Sequence, residues 1–246
     1  MQTGETVDIQ PRLKGEELRF AWMTPFFPSS HHNLSLYCGA NRVFKSTDRG
    51  DSWKPISENL VSSDRVSNIR YRAITALAES RLQPRLLFAG TDNGDLHVTQ
   101  DDGQTWNDIG YNLKKPITRI CISPNNTERV YVSHSGAGED DYSPYVYRSN
   151  DLGKTWKSIS DGLPDEPINV IYEDPRVSSL LYVGTDMGVY ASTDGGESWQ
   201  SLCSNLPTTS VYDLFVHPRD NELVIGTHGR SCYMVDATSI QNAAKK

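Results

Sequence analysis

Methionine and cysteine are both scarce in this chain of 246 residues, four of each, and positive charge is in deficit. The cysteines (Cys38, Cys121, Cys203 and Cys232) lie far apart with no CxxC pair, which gives neither a zinc-ligand spacing nor a disulfide framework. Lys and Arg number 24 against 31 Asp and Glu, a formal net charge of −7. That balance excludes nucleic acid as the expected partner, because a phosphate backbone rewards clustered cations. No run approaches the ~18 consecutive apolar residues of a membrane span, so no membrane insertion is expected. The opening MQTGETVD lacks a basic n-region and an apolar h-region. It reads as no signal peptide, which fits a cytoplasmic chain as it stands and equally a mature form or a portion of a longer precursor, so the location is left open. GxGxxG and Walker loops, HExxH and a nucleophile elbow are all missing, so no cofactor and no metal is expected.

What is present is aromatic and turn-forming, with 12 Tyr, 5 Trp, 18 Gly and 13 Pro, a composition that leans toward strands. Four octapeptides share one pattern, [S/T]-x-D-x-G-x-x-W: STDRGDSW from Ser46, TQDDGQTW from Thr99, SNDLGKTW from Ser149 and STDGGESW from Ser192. Their aspartates are Asp48, Asp101, Asp151 and Asp194, and their tryptophans Trp53, Trp106, Trp156 and Trp199. Successive aspartates are 53, 50 and 43 residues apart, spacings of propeller-blade size.

The similarity extends beyond the octapeptide. Each is preceded by an alternating strand (RVFKS, DLHVT, YVYRS, GVYAS), and that by a strand ending in a turn (LYCGAN, LFAGTDNG, VYVSHSG, LYVGTDMG). Further upstream runs a third strand (AITALAES, PITRICIS, PINVIYED), and after each box a short fourth (SWKPIS, TWNDIG, TWKSIS, SWQSL). A fifth copy, VYDLFVHP–ELVIGTHG–SCYMVD, has three strands and no box. Cys38 and Cys121 fall where sister repeats carry Ala89, Val183, Ala78 or Phe215, so both read as core residues. Period-2 alternation bounded by Gly, Asp, Asn and Pro predicts antiparallel strands throughout and no helix of ordinary length.

Four short antiparallel strands per repeat, arranged radially, make a β-propeller, which leaves few exposed sheet edges. The expected fold is therefore all-β, a five-bladed propeller forming one domain over residues 1–246. Its blades span 17–58, 72–110, 116–160, 167–203 and 210–236. Residues 6–10 are expected to close the ring by pairing with the SCYMVD strand. A closed ring predicts a monomer; an open one predicts a dimer or part of a longer chain.

Within each box the aspartate accepts hydrogen bonds from nearby backbone amides, the glycine takes a positive φ, and the tryptophan folds over the turn. These aspartates are thus spent on structure rather than catalysis. The octapeptides resemble BNR or Asp-box repeats, and the whole chain resembles the C-terminal part of bacterial sortilin-like proteins and BNR-repeat "glycosyl hydrolases". The resemblance rests on TGETVDIQPR, LYCGANRVFKSTDRGDSW, PYVYRSNDLGKTW, PINVIYEDP and VHPRDNELVIGTHGR. It implies a propeller that binds a protein or a carbohydrate, or a portion of a glycoside hydrolase related to xyloglucanases or sialidases. The Arg-Ile-Pro signature and arginine triad of sialidases are missing, and a xyloglucanase cleft needs a second propeller.

Topology places candidate binding residues on the loop face opposite the boxes: Asn41, Arg42, Asp92, Asn93, His134, Asp186, His228 and Arg230. Asp92 and Asp186 are the acids a hydrolase would use. Two oversized loops add candidates: His134 to Pro144, whose Glu139, Asp140 and Asp141 suit a cation or a basic partner, and Asn59 to Arg72, with Arg65, Arg70 and Arg72. The primary expectation is a non-catalytic binding or scaffold module.

Overall fold

A computed structural model describes residues 6–62, 71–202 and 205–245. They form five antiparallel sheets. The first contains β1 (Phe26–Pro28), β2 (Leu36–Gly39), β3 (Val43–Ser46) and β4 (Lys54–Pro55). The second contains β5 (Ile74–Glu79), β6 (Leu87–Thr91), β7 (Leu96–Thr99) and β8 (Asn107–Asp108). The third contains β9 (Ile117–Ile122), β10 (Val130–Gly136), β11 (Asp141–Ser149) and β12 (Lys157–Ser158). The fourth contains β13 (Ile168–Glu173), β14 (Leu181–Thr185), β15 (Val189–Ser192) and β16 (Gln200–Ser201). The fifth has three strands, β17 (Val211–Val216), β18 (Glu222–Thr227) and β19 (Cys232–Asp236).

The second strand of the inner sheets is buried on both faces, as β6 and β14 are along their whole lengths, because a sheet packs on either side. Close approach is set by small residues on that strand. A Cβ added at Gly90 would lie 2.7 Å from Ile117 Cγ2 of the third sheet. One added at Gly184 would lie 2.7 Å from Val211 Cγ1 of the fifth. Hydroxyls tie neighbouring inner strands together: Thr75 donates to the Ile117 carbonyl at 2.6 Å and Thr118 to the Ile168 carbonyl at 2.8 Å.

The four octapeptides adopt one hydrogen-bond scheme. In the third sheet, Asp151 Oδ1 accepts from the Thr155 amide at 2.9 Å and Oδ2 from the Thr155 hydroxyl at 2.6 Å. Ser149 Oγ donates to Asp151 Oδ1 at 2.7 Å and accepts from the Gly153 amide at 2.8 Å. The aspartate thus reaches four residues on, further than the tight turn expected from sequence. Leu152 and Gly153 both hold positive φ, 60° and 88°, so a Cβ-free residue at the second position relieves the strain. The carboxylates are held at about 2, well below the ordinary 3.8, in Asp48, Asp101 and Asp151 by the hydroxyl and amide of the residue four on. In Asp194, desolvation opposes the same bonds and the carboxyl still lies at about 2.

The tryptophans do something the sequence reading missed. The indoles of Trp106, Trp156 and Trp199 point at the preceding sheet rather than folding only over their own turns. Nε1 of Trp106 donates to the Ile56 carbonyl at 2.7 Å, Trp156 to Ile109 at 3.2 Å and Trp199 to Ile159 at 2.8 Å. Trp53 does the same to the Ile9 carbonyl at 2.7 Å.

Three expectations change. Residues 6–10 form no strand and do not pair with β19, so the fifth sheet stops at three strands. Ile9 is instead held against Gly50 and Trp53 of the first sheet. After β19 the chain enters a short helix, α1 (Thr238–Ala244), where the other sheets have a box. Gln241 on that helix is buried and donates to Asp174 Oδ2 at 3.0 Å and Asn221 Oδ1 at 2.9 Å, docking the helix on the fourth and fifth sheets. Finally, the long His134–Pro144 segment is mostly an extended hairpin. β10 and β11 continue to a 3₁₀ turn at Ala137–Glu139, and Lys115 supplies the cation at 2.7 Å from Glu139 and 3.0 Å from Asp141.

Candidate functional site

Antiparallel order fixes which loops share a face. The boxes join third to fourth strands, so the starts of the inner strands and the turns between second and third strands lie at the opposite end. A cavity of about 480 Å³ opens there, between the beginnings of β5 and β9 and the residues leading into β1. Its rim carries Trp22 and Met23, 87% and 63% exposed. Tyr71 and Tyr212 stand on its walls with Thr118, Arg119 and Asn169. A second cavity of about 460 Å³ opens where the inner strands end, and Arg119 lines both.

Arg119 occupies a position where the sister inner strands carry Ala76, Val170 and Asp213. Its Nη2 donates to Asp213 Oδ1 at 2.8 Å and to the Tyr212 carbonyl at 3.0 Å, a link from the third sheet to the fifth. Its Nε is buried without a partner. The charged pair interrupts otherwise apolar strands, and that interruption in ITRICI and VYDLFV was the signal available in the sequence.

The candidates expected from topology separate into two groups. Five are committed to internal contacts. Asn41 is buried; its Oδ1 accepts from the Arg19 amide at 3.1 Å and its Nδ2 donates to Glu16 at 3.0 Å. Arg42 donates to Glu16 at 2.9 Å, to the Ser57 carbonyl at 3.0 Å and to Glu58 at 2.9 Å. Asp92 is buried and accepts from the amides of Tyr71, Arg72 and Ala73 at 3.1, 2.7 and 3.2 Å. Desolvation nevertheless raises its carboxyl above the ordinary value. Asn93 is buried against Thr91 and donates to Ser62 Oγ at 2.9 Å. His134, also buried, faces the Tyr111 hydroxyl through Nε2 and the Lys115 carbonyl through Nδ1 at 2.9 Å. Burial pushes that imidazole down to about 4.

The other three reach solvent. Asp186 is half-buried and accepts from Asn169 Nδ2 at 2.9 Å, at the edge of the cavity. His228 is exposed and its ring lies 5.3 Å from that of Tyr212. Arg230 is exposed on the same turn. Arg65 and Arg70 lie outside the described residues. Among the described residues, no helix is long and apolar enough to cross a membrane.

Repeated four-stranded sheets with a recurring Ser/Thr–Asp–Gly–Trp turn define a class, the Asp-box β-propeller. The Sortilin-Vps10 family (sortilin, neurotensin receptor 3) matches residues 144–244. A probable oligoxyloglucan-reducing end-specific xyloglucanase of Neosartorya fischeri is 33% identical over 100 residues, 38% of this chain and 12% of the relative. The crystal structure of a Niastella koreensis GH74 enzyme superposes with a TM-score of 0.68 at 15% identity, over 90% of this chain and 36% of that one. YCF48 bound to D1 peptide superposes with a TM-score of 0.57 at 14% identity, over 83% of this chain and 61% of that one. The chain is thus similar to BNR-repeat propellers, in sequence over residues 144–244 and in fold over most of its length, and it spans only part of each of these relatives.

Proposed function

We propose that the chain is a non-catalytic β-propeller binding module that meets a carbohydrate or protein partner at the face opposite the Asp boxes. One observation carries this reading: the exposed indole of Trp22 on the rim of an aromatic-walled cavity. Flat aromatic faces stack on sugar C–H faces or on apolar peptide side chains, while a few polar groups fix orientation. Thr118, Asn169 and Arg119 are the polar groups here, and Asp186, His228 and Arg230 extend the rim. Asn41, Arg42, Asp92, Asn93 and His134 support this face from beneath. The xyloglucanase relative favours a carbohydrate and the peptide-bound relative favours a protein segment.

The test is titration of the protein with xyloglucan oligosaccharides and with a displayed peptide library, comparing wild type with Trp22→Ala and Tyr212→Ala. Loss of an anchoring aromatic is expected to weaken binding at least about tenfold, equivalent to about 1.4 kcal/mol. Binding unchanged in both variants rules this face out. The second reading, part of a glycoside hydrolase, has the 33% identity to a xyloglucanase in its favour. It requires polysaccharide turnover that Asp92→Asn and Asp186→Asn abolish. Three amides already occupy the Asp92 carboxylate, which favours binding over catalysis.

A further inference from the structure

The N-terminal segment Val7–Gln10 is built as the fourth strand of a sheet that this chain does not place around it. Ile9 stands to Trp53 and Gly50 as Ile56, Ile109 and Ile159 stand to the box residues that follow them. Its carbonyl accepts from Trp53 at 2.7 Å, as those of Ile56 and Ile159 accept from Trp106 and Trp199 at 2.7 and 2.8 Å. Its side chain lies over Gly50, as Ile56 lies over Gly103 and Ile109 over Gly153. Asp8 Oδ1 accepts from the Gln10 amide at 2.9 Å, the same turn that Asp108 makes with Gly110 at 2.8 Å.

In the complete sheets that isoleucine has one more partner. Ile56, Ile109 and Ile159 donate their amides to carbonyls of the third strand, those of Val43, Leu96 and Val146, each at 2.9 Å. The Ile9 amide has no such bond to a third strand among the described contacts, and Val7 is 79% exposed.

The complementary vacancy is at the other end of the arc. β19 is the outer strand of its sheet, with Met234 67% and Val235 42% exposed. At the equivalent third-strand positions, Val98 and Ala191 (for Met234) and Ser46, Thr99 and Ser192 (for Val235) are buried. Among the described residues no sheet closes over Gly226 on β18: the nearest atoms to a Cβ there all belong to Asp213 of its own sheet, from 3.4 Å. At Gly90 and Gly184 the next sheet fills that space.

We infer that Val7–Gln10 of one copy completes the fifth sheet of a second copy as its fourth strand, so that chains associate head to tail. Each copy carries one donor and one acceptor, and within one copy the donor is held on the first sheet away from β19. The four complete sheets dictate the register. Phe44 pairs with Pro55, His97 with Asp108, Tyr147 with Ser158 and Tyr190 with Ser201, so Asp8 pairs with Tyr233. Val7 then faces Met234, and the Ile9 amide donates to the Cys232 carbonyl. The gain is main-chain pairing along an exposed edge plus burial of Met234, Val235 and Val7. A heterologous contact of this kind closes into a ring or extends, according to the rotation between copies. The inference is independent of the ligand reading above.

Disulfide trapping tests it. In a Cys232→Ser background, Asp8→Cys and Tyr233→Cys are made as separate chains, one tagged to change its mass, then mixed and oxidised. A covalent heterodimer is expected, together with a concentration-dependent mass above the monomer by light scattering for the wild type. Ile9→Pro, which removes the amide donor, is expected to return the mass to that of a monomer while the far-UV spectrum stays β-rich. The inference is overturned by a monomeric wild type at every concentration. It is equally overturned if a chain carrying both Asp8→Cys and Tyr233→Cys in that background cross-links only within itself, which shows the strand pairing in cis.

Discussion

The indole of Trp106 donates to the carbonyl of Ile56, 50 residues earlier, at 2.7 Å. That bond joins the box of one sheet to the residue that follows the fourth strand of the sheet before it. It makes the octapeptide an inter-sheet latch as well as a turn. Trp106→Phe keeps an aromatic six-membered ring and removes the N–H donor together with the pyrrole part of the indole, leaving the Ile56 carbonyl unsatisfied. The expected loss is about 1–2 kcal/mol in urea unfolding, with little change in the denaturant slope. An unaltered midpoint shows that the latch contributes nothing.

The box carboxylates predict an acid-limb dependence. Asp151 lies at about 2 when folded against an ordinary 3.8, so the unfolded state takes up its proton first as pH falls. Its contribution is complete above pH 3.8 and is lost as pH falls through about 2. Thermal midpoints are expected to decline over that window, and Asp151→Asn to lower the midpoint at neutral pH and flatten the decline. A variant with the wild-type slope removes Asp151 from the account.

His134 gives a second pH window of the same sign. Burial lowers its folded pKa to about 4 from an ordinary 6.5, so protonation favours the unfolded chain. Stability due to the neutral ring is present above pH 6.5 and is lost between there and about 4. Proton NMR of the ring C–H resonances is expected to show a midpoint near 4 in the folded protein, and a midpoint near 6.5 contradicts the burial argument.

Two glycines separate packed from open interfaces. Gly184→Ala puts a methyl 2.7 Å from Val211 Cγ1 and 2.9 Å from the Val211 carbonyl, and a backbone atom cannot move aside cheaply. A cost of about 1–3 kcal/mol is expected in equilibrium unfolding. Gly226→Ala meets nothing nearer than 3.4 Å and is expected to stay within about 0.5 kcal/mol of wild type in the same measurement. Equal effects at the two positions show that the fifth sheet is packed like the fourth.

The repeats made most of the architecture legible. Period-2 strands, turn residues and a box recurring at Asp48, Asp101, Asp151 and Asp194 specify antiparallel four-stranded sheets, because each of these signals is local. The helix at Thr238–Ala244 was not legible, since a seven-residue segment shows too little of a 3.6-residue period. Its position depends on Gln241 finding Asp174 and Asn221 in other strands. The repeat topology could assign turn residues to an end of the sheets but not to solvent or interior. Asn41, Asp92 and His134 lie at the end opposite the boxes, yet a turn residue points inward or outward according to the backbone groups that need partners there, and for these three the interior required them. Trp22 and Arg119 were passed over because neither belongs to the repeat pattern.

The sequence by itself determined the strands, their antiparallel hairpins and the chemistry of the boxes, all of which depend on residues within a few positions of one another. Tertiary structure alone decided what lies across a gap between sheets: that the tryptophans latch onto the preceding sheet, that Arg119 reaches Asp213, and that residues 6–10 rest on Trp53 instead of β19. Such contacts join residues tens of positions apart, and their geometry depends on the curvature accumulated by every sheet between them. No local pattern encodes that sum.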